Sequence, residues 1–560
     1  MIRSLVISGS SLVSLLLPVH ASQEAQTETP NTSGSVLLDE QACFDVLSYG
    51  LELRIDPAER TIDGTLRMEA TLLAKSREIA LQLDPLLEVK AVRAGSSDSP
   101  PKVSFERRGG VFFIDASGFG ETRGKLFRVE VDYGGAPRVA TRPPWDGGFT
   151  WAESGGKPWF ATSCQGEGAD LWWPCKDHPS DKPDHFDLTF TVPAGLVVAT
   201  NGRHLGDTES EDGAWVTSRW SVTTPISNYA VALNVGPYER ITREFESVAK
   251  DTFPVTYWVL EENKEKGALF MDEIVAHLSS LERLCGPYPF RGDKYGVVDT
   301  PFLGMEHQSI IAYGNGYKGD PDFDYDWLHH HELSHEWWGN LVTAKDWADF
   351  WIHEGIGTYM QPLYLEETFG REAYDKKMKI DLLRVLNRAA IAPAPPRTTD
   401  SIYIATSGDD APGGDIYFKG SWVCHSLRWA IGDEAFFRVL RRWAYPDPSL
   451  ESTTDGSAVR LATTDELVAI AEGVSGMELD WLFDVYVRNA ALPRLVHTLE
   501  DGVLTLEWDA PGDLPFPMPV EVEIDGELRR VELESGRASL EVGDAKVEVD
   551  PAMRALRTPR

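Results

Sequence analysis

The sequence predicts a multi-domain α+β protein: an N-terminal antiparallel β domain, an α-rich middle domain and a small C-terminal β-sandwich. Three observations lead there. The chain has 560 residues, too many for one ordinary hydrophobic core. Apolar and polar residues alternate with a period of two up to about residue 238. The period then lengthens to that of a helix, and returns to two after about residue 487.

The alternation is clearest over residues 49–56, 65–72 and 186–192, with Gly, Pro, Asn and Asp clusters between such runs. These define an N-terminal domain over 39–238. In the next block, Ile274, Leu278, Leu281 and Leu284 share one helical face, and Gly286-Pro287 ends that helix. Helices are also predicted over 326–342, 347–367, 372–390, 417–431 and 433–444. Thr463 and Glu466 form a capping box for one more. This second domain covers 239–487. Residues 504–508, 520–524 and 545–549 alternate again, within a β domain over 488–560. No large helical domain is expected at the C-terminus.

The N-terminus reads as an export signal over 1–21. Arg3 precedes an apolar stretch over 5–17, followed by Pro18 and the small-residue site Val19-His20-Ala21. The apolar stretch falls short of the ~20 residues of a spanning helix. Residues 22–38, rich in Gln, Thr, Ser and Pro, read as a flexible linker. The protein is therefore expected to be exported, periplasmic or secreted, without stable membrane insertion. A formal charge of −35 argues against nucleic acid as a partner, because phosphate binding needs a basic surface. Five cysteines, none in a CxxC pair, are neither a disulfide framework nor a Cys-rich metal site. Cys164 and Cys175 lie close enough in sequence to pair; buried free thiols are the simpler reading.

His331-Glu332-Leu333-Ser334-His335 carries chemistry. Two histidines four residues apart on a helix differ by about 40° of rotation and about 6 Å of rise, so both rings project from one face. Such a pair can bind one Zn²⁺, with Glu332 as general base toward a water at the metal. The alternative is a solvated helix with incidental histidines. The neighbours Trp327, Leu328, Leu333, Trp337 and Trp338 argue against a solvated face. A catalytic zinc needs a third protein ligand. Glu354, nineteen residues after His335, can return beside the pair on a following helix; His353 is its local competitor.

HELSH followed by Glu354, within HELSHEWWGNLVT and WIHEG, resembles the M1 family of zinc aminopeptidases, the gluzincins. Leu303-Gly304-Met305-Glu306-His307 resembles that family's GxMEN. Ser163-Cys164-Gln165-Gly166 and Trp173-Pro174-Cys175-Lys176-Asp177-His178-Pro179 resemble its N-terminal Gln/Glu-Ala and FPCxDxP stretches. Tyr417-Phe418-Lys419-Gly420 resembles its YxKG. The resemblance implies a thermolysin-like zinc catalytic domain holding one Zn²⁺ on His331, His335 and Glu354. It implies Glu332 as general base, and Tyr417 as hydrogen-bond donor to the oxyanion. It implies Glu306 and Gln165 as holders of the substrate's free α-amino group, with Gly304 and Met305 alongside. The implied partners are peptides with a free N-terminus.

The chain departs from the pattern at four places. Leu303 replaces a glycine that permits close peptide approach, and His307 and His353 replace asparagines. Glu336 adds a negative charge beside the metal helix. Leu303 and His307 are expected to reshape the first subsite. Two rivals remain at this stage: a related hydrolase acting on blocked peptides or a non-peptide bond such as an epoxide, and a catalytically silent zinc-binding scaffold. Oligomeric state is left open.

Overall fold

The computed structural model of the chain describes residues 33–34, 36–394, 396–403 and 411–558. The expected signal over 1–21 and most of the expected linker lie outside the described residues. The last linker residues are docked. Ser33 is buried, its carbonyl accepts a hydrogen bond from Thr399 N–H (3.1 Å), and Gly34 bridges Thr398.

The strand Phe44–Asp56 follows its alternation: Leu51, Leu53 and Ile55 are buried while Glu52 and Arg54 are exposed. It sits in the middle of a seven-stranded sheet. On one side it pairs antiparallel with Thr61–Leu72. On the other it pairs with His185–Pro193 in parallel, Leu51 opposite Leu188 and Leu53 opposite Phe190. The large N-terminal β region is thus mixed rather than purely antiparallel. Alternation fixes which face of a strand is buried but carries no direction. These two strands meet only after a long excursion of chain, which a parallel pair requires. A four-stranded and a three-stranded sheet complete this region.

The next sheet has five strands, in the order Tyr238–Glu246, Thr252–Leu260, Tyr295–Asp299, Ile311–Tyr313, Gly304–Met305. The two-residue strand Gly304–Met305 is its edge. Against this sheet lie the helices Lys264–Cys285 and Trp327–Ser334, then Trp351–Phe369, Arg371–Leu382 and Asp415–Ile431.

The helix expected over 326–342 is short. It ends at Ser334, with His335 still helical at its C-cap (φ −67°, ψ −15°). Leu333, Trp337, Trp338 and Leu341 extend the apolar period, but past His335 they are buried by a turn. Gly339 takes φ +141°, and its N–H donates to the Val342 carbonyl (3.0 Å). Val342–Ala344 then pairs with Arg460–Ala462.

From Arg494 the chain forms two three-stranded antiparallel sheets, with Trp508 of the first packed edge-on against Phe516. This region fastens onto the back of the helix Asp415–Ile431. Trp429 Nε1 donates to the Pro519 carbonyl (2.7 Å), and Arg530 Nη2 donates to the Ala430 carbonyl (2.7 Å). All five cysteines are buried free thiols, Cys164 and Cys175 included. No helix among the described residues is long and apolar enough to cross a membrane.

Candidate metal centre and peptide cleft

The metal helix Trp327–Ser334 starts on Asp326, whose side chain accepts from His329 N–H (2.9 Å) and from the Tyr313 hydroxyl (2.6 Å). His331 and His335 follow on the face turned to the helix Trp351–Phe369, which carries Glu354 in its first turn. The helices approach closely because Gly357 is small: a Cβ there would lie 2.9 Å from Ser334 Oγ.

Three ligand atoms converge. His331 Nε2 and His335 Nε2 are 3.3 Å apart, and each lies 3.5 Å from Glu354 Oε2. Bonds of about 2.0–2.1 Å to a tetrahedral ion place neighbouring ligand atoms roughly 3.3 Å apart, so the triangle has the dimensions of one zinc site. Glu354 Oε2 is buried without a hydrogen-bond partner, as an atom reserved for a cation must be. His335 Nδ1 lies 2.8 Å from the Trp338 carbonyl, which fixes the proton there and turns the Nε2 lone pair inward. The turn that ended the helix early is therefore what orients the second ligand.

The surrounding charge also favours a cation. Burial opposes charging His335, yet Glu354, Glu306 and Glu332 outweigh it and raise the imidazole to about 10. Burial likewise pushes Glu354 up, but His335 and His331 pull it well below the usual carboxylate range. His353 is no ligand. It is buried, its Nε2 accepts from Ala344 N–H (2.8 Å), and burial lowers it to about 3.

The triangle opens on a cleft of about 620 Å³. The other sequence-selected residues, Gln165, Gly304, Met305, Glu306, Glu332 and Tyr417, all line it. Gly304 is needed: a Cβ there would lie 2.8 Å from Glu332 Oε1 and 2.8 Å from Leu328 Cδ1. Met305 and Gly304 pair with Ile311–Tyr313 on one side only, so the free edge of their strand is available to an extended backbone. Burial raises Glu332 well above the usual carboxylate range; His335 opposes this, and Glu306 and Glu354 add to it. A divalent ion held by His331, His335 and Glu354 would favour the ionised form of Glu332.

Glu306 is buried on the same wall. It accepts hydrogen bonds from Gln165 Nε2 and from the Tyr229 hydroxyl (3.3 Å), and Asn340 Nδ2 holds its backbone carbonyl (3.0 Å). Burial raises its pKa. No cation of the protein pairs with it among the described residues.

Tyr417 reaches the metal centre through a helix crossing. A Cβ on Gly420 would lie 2.7 Å from the Gly355 Cα, and one on Gly355 would lie 2.8 Å from the Gly420 Cα. The glycines of WIHEG and of Tyr417-Phe418-Lys419-Gly420 thus interlock, and the crossing sets the Tyr417 ring 6.0 Å from the His331 ring. The Tyr417 hydroxyl donates to that of Tyr403 (3.0 Å). Lys419 points away, its Nζ donating to the Asn489 (2.8 Å) and Ala490 (3.0 Å) carbonyls.

The departures fall in different places. Leu303 is half-buried on the cleft wall, whereas His307 is fully buried behind it, without a polar partner at either ring nitrogen and lowered to about 3 by burial. Glu336 is buried behind the site and accepts from Ser309 N–H (2.7 Å). Tyr229, Tyr403, Trp145, Lys377 and Arg384 escaped the sequence reading. No local spacing marks them, because separate elements bring the last four to the cleft and Tyr229 to Glu306 behind its wall.

Two family models match the chain: the Peptidase M1 N-terminal domain over residues 46–230 and the Peptidase family M1 domain over 326–455, together more than half of its length. The second covers the whole ligand triangle. The chain belongs to peptidase family M1. Aminopeptidase M1-D of Oryza sativa subsp. japonica is 25% identical over 60% of this chain and 38% of its own length. Aminopeptidase M1-B of the same plant is 24% identical over 83% of this chain and 52% of its own. The chain spans about half or less of the length of these relatives. An M1 zinc metallopeptidase from Deinococcus radiodurans has the same fold, with a TM-score of 0.66 at 24% identity, over 80% of this chain and 95% of that one.

Proposed function

We propose that the chain is an exported, zinc-dependent aminopeptidase that removes the N-terminal residue of peptides. The observation that carries this reading is Glu306, a buried carboxylate without a cation of its own that shares the cleft with the His331–His335–Glu354 triangle. A peptide ammonium supplies the missing charge in a charge-assisted hydrogen bond. Glu306 and Gln165 then measure off one residue from the point of attack, and the edge of Gly304–Met305 aligns the backbone.

Zinc on His331, His335 and Glu354 would polarise the scissile carbonyl and make water more acidic. Glu332 takes the proton of the attacking water and delivers it to the leaving nitrogen. The Tyr417 hydroxyl donates to the oxyanion as it forms. The M1 aminopeptidase relatives support this reading, and the Deinococcus radiodurans relative has been solved with a Tyr-Ser-Ala substrate. Export rests on Arg3, the apolar stretch over 5–17 and the site at Val19-His20-Ala21. N-terminal sequencing of protein from the extracytoplasmic fraction should begin after Ala21.

The test is a set of aminoacyl fluorogenic amides and their N-acetylated forms, with and without chelator. Chelator-sensitive cleavage of the free-amine forms is expected. Faster cleavage of the acetylated forms would overturn the aminopeptidase assignment.

A further inference from the structure

The helix Arg371–Leu382 and the turn after it bring Lys377, Ile380 and Arg384 to the cleft that Glu306 also lines. The cations there have different commitments. Lys377 Nζ is buried on Asp381 (2.7 Å), and the neighbouring Lys376 pairs with Asp322 (2.8 Å). Arg384 is exposed, with its guanidinium over the Phe418 ring, 5.0 Å from the centroid. It has no carboxylate within ion-pair distance among the described residues.

Phe418 ties Arg384 to the chemistry. Its ring centre lies 6.2 Å from that of Tyr417, which in turn stacks toward His331. These steps put the guanidinium within roughly 11 Å of the Tyr417 ring, a span an extended peptide covers in about three residues. On the aminopeptidase reading, a peptide anchored by its ammonium at Glu306 carries its scissile bond beside the ligand triangle and Tyr417, and Phe418 and Arg384 follow within the distances above. Arg384 therefore stands where the far end of a short peptide arrives. The cation–π contact with Phe418 holds the guanidinium over the ring, and its N–H donors are not taken by a protein carboxylate among the described residues. In a chain of net charge −35, a carboxylate entering the cleft otherwise meets repulsion.

We propose that Arg384 is a specificity-determining residue that binds the C-terminal carboxylate of the substrate, so that the preferred substrates are peptides of about three or four residues. This rests on the aminopeptidase reading and narrows its substrate class.

The experiment compares kcat/KM for a tripeptide and a tetrapeptide, each as free acid and as C-terminal amide, in the zinc-loaded enzyme. Because Arg384 is exposed, the expected preference for the acid is modest, about five-fold, and shrinks as salt rises. Arg384→Gln should bring the acid-to-amide ratio close to one, and Arg384→Lys, which keeps the charge but not the planar fork, should retain only part of it. A wild-type ratio near one, or a ratio that survives Arg384→Gln, overturns the proposal. Inertness of every peptide, acid and amide alike, would overturn the aminopeptidase reading itself and this assignment with it.

Discussion

Glu332 lies against Gly304 with no hydrogen bond to a protein donor among the described residues, so its carboxylate is free to face water in the cleft. Glu332→Gln keeps the shape and removes the proposed base. We expect kcat to fall by about 10²–10⁴-fold, while bound zinc, measured by atomic absorption, stays near one per chain. Tyr417→Phe removes only a hydroxyl that now rests on Tyr403. Its expected effect is a fall in kcat of about 10²–10³-fold with little change in KM, because the proposed donor would act on charge that develops in the transition state. A large rise in KM at unchanged kcat would instead mark Tyr417 as a ground-state binding group. The residues named by short spacing, His331, Glu332 and His335, were legible in the sequence because a single helix fixes their relation. Tyr229 and Arg384 were not, since Tyr229 reaches Glu306 and Arg384 reaches the cleft from elements whose positions depend on packing.

At the scale of elements, two motif glycines explain how distant segments form one site. Gly355 and Gly420 touch where their helices cross. Gly420→Ala must push the helix of Tyr417 away from the helix of Glu354. We expect a loss of about 1–3 kcal/mol in a denaturant unfolding curve, together with reduced kcat. Unchanged stability would show that the crossing has slack. Helical period revealed that both segments are helices, and the resemblance supplied the glycines, but nothing local says that they meet. Period also misjudged the end of the metal helix. Trp337, Trp338 and Leu341 are apolar because a buried turn needs them, and Gly339 breaks the helix there. The parallel pairing of Phe44–Asp56 with His185–Pro193 was hidden for a similar reason, since alternation is blind to strand direction.

At the scale of the whole molecule, the acidic chain keeps several carboxyls inside its N-terminal region. Asp181 is buried 3.2 Å from Lys176. Burial raises it to about 6, and the Lys176 charge only partly offsets that. A carboxyl with a folded pKa above its unfolded value of 3.8 favours the folded state when protonated. That contribution is complete below about pH 4 and is lost as pH rises through about 6. Asp181→Asn cannot ionise. Relative to wild type, its unfolding free energy should therefore climb between pH 4 and pH 7, then level off. A difference independent of pH would show that Asp181 is not raised.

The proposed aminopeptidase activity needs the zinc triangle and an ammonium at Glu306 to act on one substrate, and one paired measurement addresses that join directly. Leucyl amides of a fluorophore, with free and with N-acetylated amine, are compared in wild type and in Glu306→Gln at saturating zinc. Strong preference for the free amine is expected in wild type, and loss of most of that preference in Glu306→Gln with zinc still bound. Equal or faster cleavage of the acetylated substrate by wild type, or a preference untouched by Glu306→Gln, would contradict it.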